Sequence, residues 1–423
     1  MGVVDVSKLK YALIADLDNG KTMDLTQAVM SLSWGEQVRE LAQKATIRLA
    51  NSKTDLGYVS SLLKLFTRIR IEANEEEVFS GIVWEWDYVS DLQKEISIVA
   101  YDMAIYLQQS KSNTYFPAGK GTDAAVKEIC KNWSIPINYT YKTMTHSKIV
   151  YRNMTIADQV FSLLNECKRQ AKEKYCVTMR NGQLNISACG TNSGVYVFES
   201  NTNVISTKNS FTCTGMVTQI VISGKADDDG RVPNEAIVSL KTQYGPAHIQ
   251  DIQYRDTDDT LEKAKTEAEW TLEEKGRPTE EISFEAVDVP FIRKGDKVKV
   301  MAGNLTGYFY VTSITHNADS RTMDVGLERT KDNPVSTKFT ELQTAEDSGT
   351  TITIDKQVRL TPGTVMYEDP DASTIKDTSS FDWNQTVNVA YKFVGKKAPY
   401  VILGGSGIGI SFIAKETWTE VKQ

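Results

Sequence analysis

In FIRKGDKVKVMAGNLTGYFYVTSITHNADSRTMDVGLER, residues 291–329, apolar side chains recur at every second position: Val298 and Val300, Phe309 and Val311, then Met323, Val325 and Leu327. Successive side chains of an extended chain point to opposite faces, so each run is a strand with one buried and one wet face. The connections KGD, AGNLTG and NADS are rich in Gly, Asn and Asp, the residues that turns use. His316 stands at a strand end beside a turn, where a lone histidine is expected to hydrogen-bond the turn rather than to act as a catalyst.

The same texture fills the first 105 residues. KYALIADL, KATIRLAN, TRIRIEAN, EEVFSGIVWEWDYV and EISIVAYD are short, β-branched or aromatic runs with short connections, which predict an antiparallel sheet curled into a small barrel. Two helices follow. In TDAAVKEICKNW, Val126, Ile129, Cys130 and Trp133 share one face and Thr122 is the expected N-cap; in TIADQVFSLLNECKRQAKEK, Thr155 and Asp158 have capping-box spacing. Asn181-Gly182 between alternating runs marks a hairpin. A further strand, MVTQIVISGK, precedes an excursion with the strand NEAIVSLK and a charged helix that Asp258 or Asp259 starts and Gly276 stops, its apolar stripe being Leu261, Ala264, Ala268 and Leu272. The fold class read from this order is α+β, mainly β.

At 423 residues the chain exceeds one ordinary core and calls for several domains. A net charge of −7, with no long basic run, disfavours nucleic-acid binding. The first residues lack a charged leader followed by an apolar core, and no stretch approaches the apolar length of a membrane helix, so a soluble chain starting in the cytoplasm is expected. Cys130, Cys167, Cys176, Cys189 and Cys213 form no CxxC pair and read as buried reduced thiols. ADDDGR is no calcium loop, because Asp227, Asp228 and Asp229 are consecutive and no Glu follows at the required offset. FPAGKGTD and LGGSGIGISF each lack a glycine that their nucleotide-binding namesakes require, and read as turns. No catalytic residue, cofactor or metal ligand is assigned.

The order PFIRKGDKVKV, a glycine turn, GYFYVTSITH and RTMDVGLER, preceded by the AKTEAEWTLEEKGRP helix, resembles the baseplate hub proteins of phage tails and related contractile injection systems, of the T4-hub and PBSX-prophage kind. VMSLSWGEQVRELAQKATIRLAN and VFSGIVWEWD are similar to that family's first barrel, and the resemblance covers about residues 1–332. It implies a structural homotrimer in which each chain supplies two small antiparallel β-barrel, tube-like domains. Three chains then make a pseudo-sixfold ring joining the tail tube to the central spike. The implied domains are 1–105, the first barrel; 106–204, an α+β domain with two helices; 205–228 with 282–332, the second barrel; and 229–281, a strand–helix insertion. Partners would be the chain itself, tube protein, spike protein and other baseplate or tape-measure proteins, in a particle assembled in the bacterial cytoplasm. Trp84 and Trp86, two apart on one strand, are expected on the same face, either anchoring a subunit contact or packed in the barrel core.

After a polar linker at 333–350, residues 351–423 read as a β-type extension, either a small domain or an arm over a neighbour. Beyond residue 340 there is no His or Cys, so a fused cell-wall hydrolase there would rest on carboxylates such as Asp355, Glu368, Asp369 and Glu416. A carbohydrate-binding module is the other alternative, with Trp383, Tyr391, Tyr400 and Trp418 stacking on sugars or filling a small core.

Overall fold

The alternating runs of the first hundred residues form β1 (Tyr11–Asp16), β2 (Thr22–Asp24), β3 (Val29–Glu36), β4 (Lys44–Ala50), the short pair β5 (Lys53–Thr54) and β6 (Gly57–Tyr58), the turn of helix α1 (Val59–Leu62), then β7 (Arg68–Ala73), β8 (Glu76–Ser90) and β9 (Glu95–Tyr101). Their inward residues, among them Leu13, Ile47, Ile69, Val83 and Ile98, are fully buried in one core. The computed structural model describes residues 8–17, 20–38, 40–90, 94–226, 228–240, 248–255, 259–333, 351–378, 386–393, 396–404 and 409–421.

A helical layer comes next: α2 (Ile105–Gln109), β10 (Lys111–Phe116), α3 (Thr122–Cys130), β11 (Ile137–Tyr139), β12 (Ile149–Thr155), α4 (Ile156–Ala171), β13 (Tyr175–Arg180) and β14 (Gln183–Ala188). Helix α4 begins as the capping box dictates, the Asp158 amide donating to Thr155 Oγ1 at 3.1 Å. Thr122 does not cap α3. Gly121 holds that position, and the buried Thr122 hydroxyl instead lies 2.8 Å from Nε2 of His146, whose Nδ1 meets Glu166 at 2.8 Å. Asn181 and Gly182 both take positive φ in the β13–β14 hairpin, as a type I′ turn requires.

β15 (Tyr196–Glu199) and β16 (Val204–Thr212) return the chain to the first sheet. The next strands, β17 (Gln219–Ser223), β18 (Asn234–Ser239) and β19 (Gln250–Tyr254), with α5 (Leu261–Lys275), form a separate three-stranded sheet and its helix. Ile220 and Ile222 pack there on Ala264, Ala268 and Leu272. MVTQIVISGK therefore belongs with the excursion and not with a second barrel at 205–228, because β17 hydrogen-bonds β18 and β19. Thr260, not an aspartate, caps α5. Then β20 (Thr279–Val287), β21 (Lys297–Ala302), β22 (Leu305–Asn317) and β23 (Thr322–Arg329) rejoin the large sheet.

That sheet has 13 strands, in the order β16-β20-β23-β22-β3-β4-β9-β8-β7-β1-β2, with β21 on β22 and β15 on β21. The mainly β, α+β class is as expected, but among the described residues neither half closes into a barrel. β3 would have to turn back on its own half to do so; its last residues pair instead with the end of β22, from Ile314↔Glu36 to Asn317↔Ser33. The halves also repeat each other. β3, β4, β7, β8 and β9 lie in the order β3-β4-β9-β8-β7, and β16, β20, β21, β22 and β23, met in the same chain order, lie as β16-β20-β23-β22-β21.

Residues 213–279 and 336–423 belong to a second compact unit. In it β24 (Thr351–Leu360), β25 (Val365–Tyr367), β26 (Ile375–Thr378), β27 (Val387–Phe393), β28 (Tyr400–Gly404), β29 (Gly409–Ile413) and β30 (Trp418–Glu420) form a seven-stranded sheet over Val358, Met366, Val389, Ile402 and Ile413. Most of the linker, with Asp227, Trp383 and the glycines of LGGSGIGISF from 405 to 408, lies outside the described residues.

Candidate assembly interface

The junction between the two halves is held by polar groups as well as by the β3–β22 ladder. Glu36 at the end of β3 is 2% exposed and takes a two-pronged bond from Arg293, Nε at 3.0 Å and Nη2 at 2.9 Å, plus the Lys294 amide at 2.9 Å. Arg293 also donates to Met179 O. Burial alone would raise the Glu36 pKa, but the guanidinium and its hydrogen bonds overcome it and hold the carboxyl down to about 2. Gly35 lets the strands approach: a Cβ there would stand 2.1 Å from Ile314 O.

His316 is fully buried on β22 instead of serving a turn. Its Nδ1 lies 2.6 Å from Asp288 and its Nε2 3.2 Å from Ile292 O, and its ring stacks on Trp34 of β3 at 5.0 Å. The Tyr11 hydroxyl donates to the same aspartate. Burial, then the charge of Asp288, drives the Tyr11 pKa far upward, so the phenol keeps its proton. A histidine and an aspartate with no solvent access link the halves and are closed to any substrate.

Beside this junction is a cavity of about 500 Å³ lined by Gln43, Asp102, Met179, Arg180, Phe291 and Arg293, among others. Asp102 accepts the amides of Gln43 and Ala104, each at 2.9 Å. Burial nevertheless lifts its carboxyl to about 7, the two amides and Arg293 offsetting only part of the rise. The sign follows from the unfolded carboxyl, which releases its proton near pH 4. Between that pH and about 7 the folded chain holds a proton that the unfolded chain has lost, so stability falls as pH rises. The expected loss between pH 5 and pH 8 is about 2–3 kcal/mol. Urea titrations of the wild type and Asp102→Asn across that range check it; equal slopes in the two proteins would refute the assignment.

Trp84 and Trp86 do not share a face. A bulge in β8 between Val83 and Glu85, against β9, shifts the alternation by one. Trp84 packs on the helical-layer core, edge-on to Phe66 and Tyr106, while Trp86 lies opposite Ile98, 37% exposed and stacked with Tyr88. Nothing in the sequence marks the bulge. Of the cysteines, Cys130, Cys167 and Cys176 are buried, Cys189 half-buried and Cys213 exposed, which corrects the expectation for the last two.

In the extension, Tyr400 is buried and meets Trp418 edge-on at 5.0 Å, so these two rings fill a core instead of presenting a sugar platform. Asp369 binds the Asp371 and Ser373 amides of its own turn, and Glu416 accepts the Tyr400 hydroxyl. Among the described residues no cluster of three or more His, Cys, Asp or Glu is placed to hold a metal, and no helix is long and apolar enough to cross a membrane.

The chain matches the YQBQ-like family over residues 32–328. Among solved structures it is similar to the 43 kDa tail protein of prophage MuSo2 from Shewanella oneidensis, with 15% identity, TM-score 0.57 and coverage of 76% of this chain and 98% of that one. It is similar also to a tail protein from Neisseria meningitidis, with 12% identity, TM-score 0.55 and coverage of 75% and 96%. Among curated proteins none matches the chain.

Proposed function

The chain belongs to the YQBQ-like family, and from that premise we propose that it is a structural baseplate hub of a phage or phage-like contractile tail, a homotrimer that joins the tail tube to the central spike. The observation that carries this reading is the repeat within the sheet. One chain holds two five-stranded halves of like strand order, hydrogen-bonded side by side through β3 and β22. Three such chains around an axis present six similar halves, so one ring meets a sixfold tube on one side and a threefold spike on the other. The fold shared with the Shewanella and Neisseria tail proteins supports the same assignment. A role of this kind uses strand edges and apolar patches and needs no convergent titratable groups, in keeping with a His–Asp pair sealed inside the sheet.

The test is the absolute mass of the purified chain in solution, alone and with the tail-tube and spike proteins encoded beside it. A trimer, formed alone or on adding a partner, is the expected result. A chain that stays monomeric with every partner and cleaves peptidoglycan would overturn the reading.

A further inference from the structure

The two halves correspond residue by residue where β22 receives β3. In the second half the Gly295 amide donates to Val311 O and the Val311 amide to Asp296 O; in the first half the Phe66 amide donates to Val83 O and the Val83 amide to Thr67 O. The turn before each is closed alike, the Arg293 amide on the Asp296 carboxylate at 2.9 Å and the Lys64 amide on the Thr67 hydroxyl at 3.0 Å. Each middle strand then bulges one residue later, between Val311 and Ser313 in β22 and between Val83 and Glu85 in β8. Past the bulges the registers again agree: Ile314↔Val325, Thr315↔Asp324 and His316↔Met323 match Trp86↔Ile98, Asp87↔Ser97 and Tyr88↔Ile96.

Trp86, Asp87 and Tyr88 therefore stand where Ile314, Thr315 and His316 stand. In the second half that stretch takes β3 along its side. In the first half, among the described residues, no strand pairs with β8 on that side beyond Val83. Ile314 and His316 are 1% and 0% exposed, whereas Trp86 is 37% exposed, and Leu65 and Phe66, which stand where Lys294 and Gly295 stand, are 53% and 61% exposed. The strand that corresponds to β3 is β16, which ends the sheet at its other side. The Val287 amide bonds Asn203 O and the Asn209 amide group bonds the Glu280 carboxylate on one face, which runs β16 antiparallel to β20 and sets its residues 206–209 in the place of β3 residues 33–36. That segment carries Lys208, exposed, to face the exposed Glu85 and Asp87 of β8, and the buried Asn209 Oδ1 has no hydrogen-bond donor among the described residues.

We propose that the free side of β8 at Trp86–Tyr88 receives β16 of a second copy of this chain, repeating between chains the β22–β3 junction made within one. The inference rests on the hub reading and adds to it which strands close the ring. Each chain offers one donor edge and one acceptor edge, a head-to-tail contact that closes by rotation. On closure the Leu65, Phe66 and Trp86 side chains pass from water into the interface, the kind of aromatic anchor that dominates binding energy.

The test uses the full chain with exposed Cys213 changed to serine, mixed with the tail-tube and spike proteins. Asp87→Cys is combined in turn with Lys208→Cys, Asn209→Cys and Ser210→Cys, and Ser33→Cys with Asn317→Cys serves as the in-chain control, since those two residues are opposed across β3 and β22. Expected on mild oxidation are covalent dimers and trimers for one of the three pairs, and an internal bridge for the control. Separately, Trp86→Glu is expected to weaken trimer formation about tenfold or more, while Tyr115→Glu, at an exposed position on another strand, leaves it unchanged. Trimers of ordinary strength in Trp86→Glu, with no cross-link from any of the three pairs, would overturn this inference and leave the hub reading standing. A chain that never trimerises overturns both.

Discussion

Replacing Glu36 by alanine is expected to destabilise the first unit by about 3–5 kcal/mol, because it leaves the Arg293 guanidinium buried without its counter-charge. The loss is large through what remains, not through the strength of the pair itself. Two charges removed from water recover little more than their desolvation cost when well paired, so the double replacement Glu36→Leu with Arg293→Met is expected to regain most of the deficit. The carboxyl also carries a pH signature opposite to that of Asp102. With its folded pKa depressed to about 2, its contribution is complete above the unfolded carboxylate range and fades as pH falls through that range toward 2. Urea unfolding of the single and double variants at pH 7, followed by acid titration, separates the cases. A single-variant loss below about 1 kcal/mol would mean that water entering from the adjoining cavity solvates Arg293, and the pair would then count as a surface bridge.

Local features were legible because their causes are local. The Asn181-Gly182 turn, the Thr155–Asp158 capping box and the apolar stripe of α5 each depend on residues within a few positions of one another. The alternation of the strands was equally plain, but it names the face a residue takes and not the sheet its strand joins. For that reason β17 could not be told from the strands of the second half, and the opening of both expected barrels into one sheet could not be foreseen. Glu36 and Arg293 lie far apart in the chain, and neither occurs in a pattern that calls for the other. The tryptophans fail for a different reason: a single unpaired residue in β8 reverses the parity on which their shared face was inferred. Such a bulge needs no glycine or proline and leaves no mark in composition, yet its counterpart in β22 is what makes the correspondence of the halves convincing.

Trp34→Ala is the second large effect expected, about 3–5 kcal/mol for a fully buried aromatic whose space cannot refill. The indole belongs to the core of the first half, edge-on to Tyr11 at 5.5 Å, and its flat face lies on His316 of the second. Its Nε1 has no hydrogen-bond partner among the described residues, so truncation relieves one unsatisfied donor, worth about 1–3 kcal/mol at most against the apolar packing that disappears with the ring. Trp34→Phe removes the same donor while keeping most of the ring, and is expected to cost less than half as much as alanine. The location of the damage matters more than its size. Because β3 is the strand shared between halves, the alanine variant is expected to expose the amides of residues 314–317 to hydrogen exchange well before those of β4 and β9. If exchange instead rises uniformly over both halves, the stack of Trp34 on His316 is ordinary core packing, and the cohesion of the two halves rests on the Glu36–Arg293 pair and the strand ladder alone.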